Sequence, residues 1–386
     1  MKILMLAPTP YFSDRGCHVR IYEEAKALTS LGHQVHIVTY HLGRDMGEIP
    51  VSRIPSIPWY RKTSAGPSWH KPYLDLLLLF RALRVARSFR PDLIHAHLHE
   101  GAFLAALGKP FLRVPLLFDC QGSLTGELLD HRFMRRGGIL HRLFSVLERW
   151  ITRQADCVVT SSTQTAEVIR CEFPDLAERV VPLVDAVDTD AFIPAEKDRE
   201  LMEKWQLPQG KRILVYLGAM TDYQGVGTLL EVLKRLNETR QDFHALLMGY
   251  PEADYRERAR QLGLGDVTTF TGKIDYALAA RYLNLGDVAV SLKTSATEAN
   301  GKLLNYMACG LPCVVFDTAV NRELLGQEGV YVVERSADAC VDALGALLDN
   351  PECLGERADR VRSHTVDRHS WGARGRVLER LFRQMT

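Results

Sequence analysis

Three groups of residues in this 386-residue chain have types and spacings that could do chemistry. The first lies in Val288–Asp317, V-A-V-S-L-K-T-S-A-T-E-A-N-G-K-L-L-N-Y-M-A-C-G-L-P-C-V-V-F-D. Between its two apolar runs stand Lys293, Glu298, Asn300, Gly301, Lys302 and Asn305. Leu303, Leu304, Met307 and Ala308 repeat at helical spacing, and Lys302 and Asn305, three apart, share the other face. A helix start with free backbone N–H groups, beside a lysine and after a glycine-containing loop, suits a phosphate. The plain alternative is a strand–helix–strand crossover with a solvated loop. The second group is D-L-I-H-A-H-L-H-E, Asp92–Glu100, where His95, His97 and His99 would point the same way on a strand. Metal ligation, a structural hydrogen-bonding role and active-site duty at a strand end all compete for it. The third is Asp119, at the end of an apolar run. Its carboxylate could accept a proton from a hydroxyl, or cap a helix as Ser123 or Thr125 could.

The elements that must position these groups alternate between strand and helix. Lys2–Ala7 reads as a buried strand, Pro8–His18 as a polar loop holding Gly16, and Gln34–Tyr40 as the next strand after a helix stopped by Gly32. Strands are expected again at Val114–Phe118, Asp156–Ser161 and Arg179–Leu183. The pattern restarts at Arg212–Leu217, followed by Gly218 to Gly225 and a helix. Strands at Phe243–Met248, Val267–Thr271, Val288–Leu292, Cys313–Phe316 and Val330–Val333 complete it. This order predicts two doubly wound α/β domains with parallel sheets, residues 1–185 and 186–365, and a C-terminal helical segment, 366–386. Residues 41–72, with Pro50, Pro55, Pro58, Pro67 and Pro72, read as a long irregular connection. Its aromatic and basic residues suit the side that receives an amphipathic ligand.

Composition narrows the function. A net charge of +1 argues against nucleic acid as a partner, and 46% apolar residues are enough for two cores. The 8 cysteines are scattered without a C-x-x-C, which suits reduced thiols in a cytosolic protein. The first apolar run is too short for a signal sequence, and none approaches a membrane span of about 20 residues. Two segments are basic and amphipathic: Tyr73–Arg90, and the run from Arg132 to Arg153 around Ile139, Leu140, Leu143, Phe144 and Leu147. They would dock on an anionic bilayer, or simply be solvated faces over a core.

K-L-L-N-Y-M-A-C-G-L-P-C-V-V resembles the donor-site segment of family 4 ("group 1") glycosyltransferases of the GT-B fold. The opening L-x-x-L-G-H-Q-V-H-I-V-T and the D-x-I-H-x-H at residues 92–97 resemble the same family. The resemblance implies two Rossmann-like domains facing a central cleft. It implies a retaining transferase that moves a sugar from a nucleotide-sugar donor, such as a UDP- or GDP-sugar, to an acceptor hydroxyl, with no metal or other cofactor. Gly16, Gly301 and Lys302 would hold the diphosphate, with Lys293, Asn300, Gly218 and Gln224 close by. Ile274 would border the nucleobase, Asn305 the ribose, and Glu298 the sugar hydroxyls. Asp119 or His97 would border the reacting carbon. A sugar or lipid-linked acceptor is implied, with the enzyme cytoplasmic or at the inner membrane face. Asp188-Thr189-Asp190 could suggest a metal-binding transferase of another fold, but the segment resembles this family's interdomain linker.

The chain departs from the family pattern at several positions. The usual diphosphate-clamping Arg and Lys are replaced by Ala219 and Gln224, and the usual glutamate pair by Thr297 and Asn305. Two other readings follow: a non-catalytic scaffold of the same fold, or a nucleotide-sugar epimerase.

Overall fold

The computed structural model describes residues 1–14, 16–47, 49–63, 66, 68–130, 133–294 and 300–386. It divides into two compact units. One comprises Met1–Asp185 with Trp371–Thr386, the other the described residues between them. Glu298, Thr297 and Arg132 lie outside the described residues.

The first unit has seven strands: β1 (Lys2–Ala7), β2 (Gln34–Thr39), β3 (Val51–Arg53), β4 (Leu93–His97), β5 (Leu116–Cys120), β6 (Cys157–Thr160) and β7 (Val180–Pro182). Its helices are α1 (Gly16–Ser30), α2 (Lys71–Phe89), α3 (Leu98–Leu112), α4 (Leu124–Asp130), α5 (Ile139–Gln154) and α6 (Thr163–Glu172). The sheet is parallel in the order β3-β2-β1-β4-β5-β6-β7. Strands buried on both faces need near-continuous apolar runs, which is why K-I-L-M-L-A reads as it does. Leu4, Leu6, Ile94, Ala96, Leu116 and Phe118 form one core with Leu74, Leu78 and Ala82 of α2, Ala102 of α3 and Ile151 of α5. The chain leaves β1 toward β2 and β3, then returns to the other side of β1 with β4. The crevice for a ligand in such a sheet lies beyond the carboxyl ends of β1 and β4.

The second unit repeats the design with β8 (Arg212–Leu217), β9 (Phe243–Met248), β10 (Thr268–Gly272), β11 (Val288–Ser291), β12 (Cys313–Phe316) and β13 (Val330–Val332). Its helices are α7 (Arg199–Lys204), α8 (Val226–Thr239), α9 (Ala253–Gln261), α10 (Ala279–Leu283), α11 (Lys302–Ala308), α12 (Ala319–Leu325), α13 (Ala337–Leu348) and α14 (Pro351–Arg368). The order β10-β9-β8-β11-β12-β13 puts the reversal between β8 and β11. The last helix, α15 (Trp371–Met385), packs on α1, where a Cβ on Gly375 would come within 3.0 Å of Ala27.

Three expectations are corrected. β5 extends through Cys120, so Asp119 lies inside the strand and not in the loop after it. β4 ends at His97, and His99 belongs to the first turn of α3, so the three histidines do not share a strand face. The connection over 41–72 contains the short strand β3, paired with β2 and tied down by Arg53, whose guanidinium donates to the Tyr11 and Leu42 carbonyls.

Candidate active site

The reversal in the second sheet is where its sequence signals converge. β8 ends at Leu217 and the chain turns through Gly218–Gly225 into α8. Gly225 has φ +77°, and a Cβ there would stand 2.0 Å from the Leu292 carbonyl oxygen. No side chain fits, and a left-handed backbone is glycine's natural ground. Gly249, after β9, is as tight: a Cβ would lie 1.8 Å from the Gly218 oxygen. The glycines thus let three backbone segments meet at the sheet's carboxyl edge.

Across this edge stands α11, opening at Lys302. The Lys302 ammonium donates to Gln224 Oε1 at 2.6 Å and lies 4.5 Å from the centre of the Tyr216 ring. Tyr306, one turn further on, is fully buried. Its hydroxyl accepts from the Leu217 N–H at 2.7 Å and donates to the Leu217 carbonyl at 3.1 Å. The β8–β11 register covers only Leu214 and Val215 of β8. Tyr306 therefore satisfies the backbone of Leu217 beyond the ladder and ties α11 to the end of β8. Asn300 is buried and hydrogen-bonds Ser291 (3.2 Å) and Asn321 (3.0 Å), while Asn321 reaches the Phe316 carbonyl. These struts tie Asn300, just before α11, to β11 and α12. Lys293 is also buried, and Asn305 is half-exposed on α11. Ile274 lines a cavity of about 380 Å³ beside the end of β10, with Trp205, Lys273 and Tyr282.

The first unit's reversal holds a buried charge network. Arg20 of α1 reaches Asp119 with two nitrogens (2.8 Å and 3.0 Å), Asp185 (2.6 Å) and the Leu183 carbonyl (3.0 Å). In the β4–β5 register His97 lies beside Asp119, and its Nδ1 is 2.9 Å from Oδ2. Gln121 donates to the same oxygen. Asp119 and His97 are both fully buried. Arg20 and His97 hold the Asp119 carboxyl well below the usual range despite burial. A carboxylate so held is a weak base, and its partners in this buried network are Arg20, His97 and Gln121.

Glu24 is forced the other way. Burial raises its pKa well above normal, and neither carboxylate oxygen makes a hydrogen bond to a described residue. Burial also lowers His95, whose Nε2 is 3.4 Å from Glu24. Glu24, His95, His97 and Asp119 have ligand atoms within 4.8 Å of one another and could by type hold a metal ion. The Arg20 guanidinium, 3.1 Å from Glu24 and 2.8 Å from Asp119, already supplies a cation there.

The loop before α1 is stapled by His18. Ser13 N–H donates to His18 Nδ1 at 3.0 Å, which leaves the ring proton on Nε2, facing the Thr9 hydroxyl. Gly16 lies between the two stapled residues, with nothing within 4 Å of where its Cβ would be.

Comparison with known proteins places both halves. Residues 15–183 match the glycosyl transferase 4-like domain, and residues 197–365 match the glycosyl transferases group 1 model. The chain belongs to the group 1 glycosyltransferases. Its relatives include a 2-deoxystreptamine glucosyltransferase of Streptomyces kanamyceticus, 28% identical over 66% of this chain and 69% of that one. Another is the sulfoquinovosyl transferase SQD2 of Arabidopsis thaliana, 22% identical over 96% of this chain and 71% of that one. Among solved structures, sucrose-phosphate synthase from Thermosynechococcus elongatus superposes with a TM-score of 0.83 at 17% identity, covering 100% of this chain and 99% of that one. Anabaena HepE in complex with UDP gives 0.77 at 15% identity, with both chains covered in full. These likenesses show the GT-B fold.

For this glycosyltransferase, the structure brings Gly218, Gln224, Gly301 and Lys302 together at one sheet edge. Gly16, His97 and Asp119 belong to the other unit. Sequence reasoning missed Arg20, Glu24, His18, Tyr216 and Tyr306. Arg20 and Glu24 are four apart on α1 and both buried, a weak signal visible only once the helix is known to face a core.

Proposed function

We propose that this enzyme transfers a sugar from a nucleotide-sugar donor, seated at the β8–β11 reversal, to an acceptor hydroxyl with retention of configuration. The observation that carries this is the Lys302 ammonium, fixed at the start of α11 opposite the glycine turn that follows β8. A leaving diphosphate develops negative charge, and a pre-oriented ammonium with nearby helix amides stabilises it. The diphosphate lies against Gly218 and Lys302, the ribose toward Asn305, and the base toward the cavity lined by Ile274. Glu298 is proposed to contact the sugar hydroxyls. Lysine and amides offset the charge in this reading, so the reaction needs no metal.

The acceptor is proposed to be a sugar or a lipid-linked glycan, met at a membrane surface. Ile139 (87% exposed), Leu143 (60%) and Val146 (62%) follow one another along α5, among Arg142, Arg149 and Arg153. Leu76 and Phe80 form a similar exposed pair on α2. Apolar side chains ringed by arginines match an anionic interface, such as the inner face of a cytoplasmic membrane. No helix among the described residues is long and apolar enough to cross a membrane.

The test is a panel of UDP-, GDP- and ADP-sugars with sugar and lipid-linked acceptors, run with and without EDTA. Glycosylated product from one donor, unaffected by EDTA, is expected. Nucleotide binding with no product on any acceptor would favour a non-catalytic role. A rearranged donor sugar would mark an epimerase.

A further inference from the structure

The second unit presents Lys302 at its proposed phosphate seat, and two of the neighbours that hold its ammonium are Tyr216 and Gln224. On one side is Tyr216, 1% exposed, with its ring 4.5 Å from Nζ and its hydroxyl 3.5 Å away. That hydroxyl donates to the Ala219 carbonyl at 2.7 Å, so the oxygen's remaining lone pair is what the ammonium meets. On the other side is Gln224, last residue of the turn Asp222–Gln224 and next to the conformationally fixed Gly225. Its Oε1 accepts from Nζ at 2.6 Å. A Cβ on Gly218 would come within 3.2 Å of Nζ, which closes a third side. A lysine ammonium is a point charge on a flexible stem and loses rotamer freedom when it docks a ligand. Here the aromatic face and the amide carbonyl have already removed that freedom.

We propose that Tyr216 and Gln224 are positioning residues that hold the Lys302 ammonium at the diphosphate seat. Tyr216 supplies a buried π face and Gln224 an uncharged acceptor, so these two orient the ammonium without adding a counter-charge of their own. A carboxylate at 224 would orient it equally well but neutralise it. The proposal rests on the donor-site reading given above.

The test is calorimetric titration of the full chain with UDP, GDP and ADP, and then a cycle on whichever nucleotide binds. Lys302→Met should weaken binding roughly 10- to 100-fold, the scale of one charge-assisted contact. Gln224→Ala should weaken it about fivefold to tenfold in the wild-type background and much less in the Lys302→Met background. Gln224→Glu should weaken it more than Gln224→Ala. Tyr216→Phe, which keeps the ring, should stay within about threefold of wild type, whereas Tyr216→Leu should lose about fivefold. Equal losses from Gln224→Ala with and without Lys302, or no loss at all, would overturn the proposal. Failure of the wild type to bind all three nucleotides would instead overturn the donor-site reading. If Tyr216→Leu lowers the melting temperature of the free protein, the cycle at half-buried Gln224 decides alone.

Discussion

Replacing Asp119 by asparagine tests whether the buried network of the first unit is structural or catalytic. The substitution keeps size and shape but removes the charge that faces Arg20 at 2.8 Å and 3.0 Å. Arg20 is 3% exposed, so its charge cannot turn to solvent. Removing one partner of a buried pair typically costs 3–5 kcal/mol, roughly, because the other is left uncompensated. Asp185 remains 2.6 Å from Arg20, so the lower end of that range, about 3 kcal/mol, is expected. That is about a 100-fold fall in the folded-to-unfolded ratio.

Urea unfolding followed by tryptophan fluorescence reads this unit, since Trp59, Trp69, Trp150 and Trp371 lie in it and only Trp205 in the other. The folded-state pKa of Asp119 is depressed, so its contribution is fully present above the unfolded value of about 3.9. It is lost only as pH falls below that, toward the folded value. The gap between wild type and variant should therefore be constant from pH 5 to pH 8. Turnover of the folded variant should stay within about tenfold of wild type, far less than loss of a catalytic base. A variant as stable as wild type, but with turnover lowered a thousandfold, would refute the reasoning and return Asp119 to the reaction centre.

Other perturbations give equally definite expectations. Tyr306→Phe strands the N–H and carbonyl of Leu217, and should cost about 2 kcal/mol in chemical unfolding and weaken nucleotide binding through α11. Asp75, hydrogen-bonded by the Tyr40 hydroxyl, is pushed up to about 7 by burial and then by Glu100. A carboxyl whose folded pKa is raised gives stability below its unfolded value of about 3.9, lost as pH climbs to about 7. Asp75→Asn should thus gain about 2 kcal/mol on wild type at pH 8 compared with pH 4, with partial exposure already discounted. Leu143→Asp with Val146→Asp should lower sedimentation with phosphatidylglycerol vesicles at least about tenfold without changing the melting temperature. Unchanged vesicle binding would remove α5 from the membrane reading.

Much of the fold was legible because buried parallel strands must be apolar along their whole length. The runs K-I-L-M-L-A and F-H-A-L-L-M name β1 and β9 directly. The glycine turn after β8, Gly218 to Gly225, was equally plain. The chemistry of the first unit was not. Whether Asp119 is a loop base or a buried partner depends on a strand two residues longer than its apolar core. It also depends on an arginine 99 positions earlier in the chain. The same holds for Gln224, which in sequence is a missing cation and in space is the acceptor for Lys302, 78 residues away. Local pattern reports burial, whereas these roles are set by contacts across the topology. β3, only 3 residues long, fell below any pattern and is held by Arg53.

The most direct test of the central claim is a crystal structure of the full chain grown with the nucleoside diphosphate that binds it. The account predicts phosphate oxygens within about 4 Å of Lys302 Nζ, beside the backbone of Gly218, with the base toward Ile274. A nucleotide seated elsewhere at saturating concentration, with Lys302 still held by Gln224 and touching no phosphate, would contradict it.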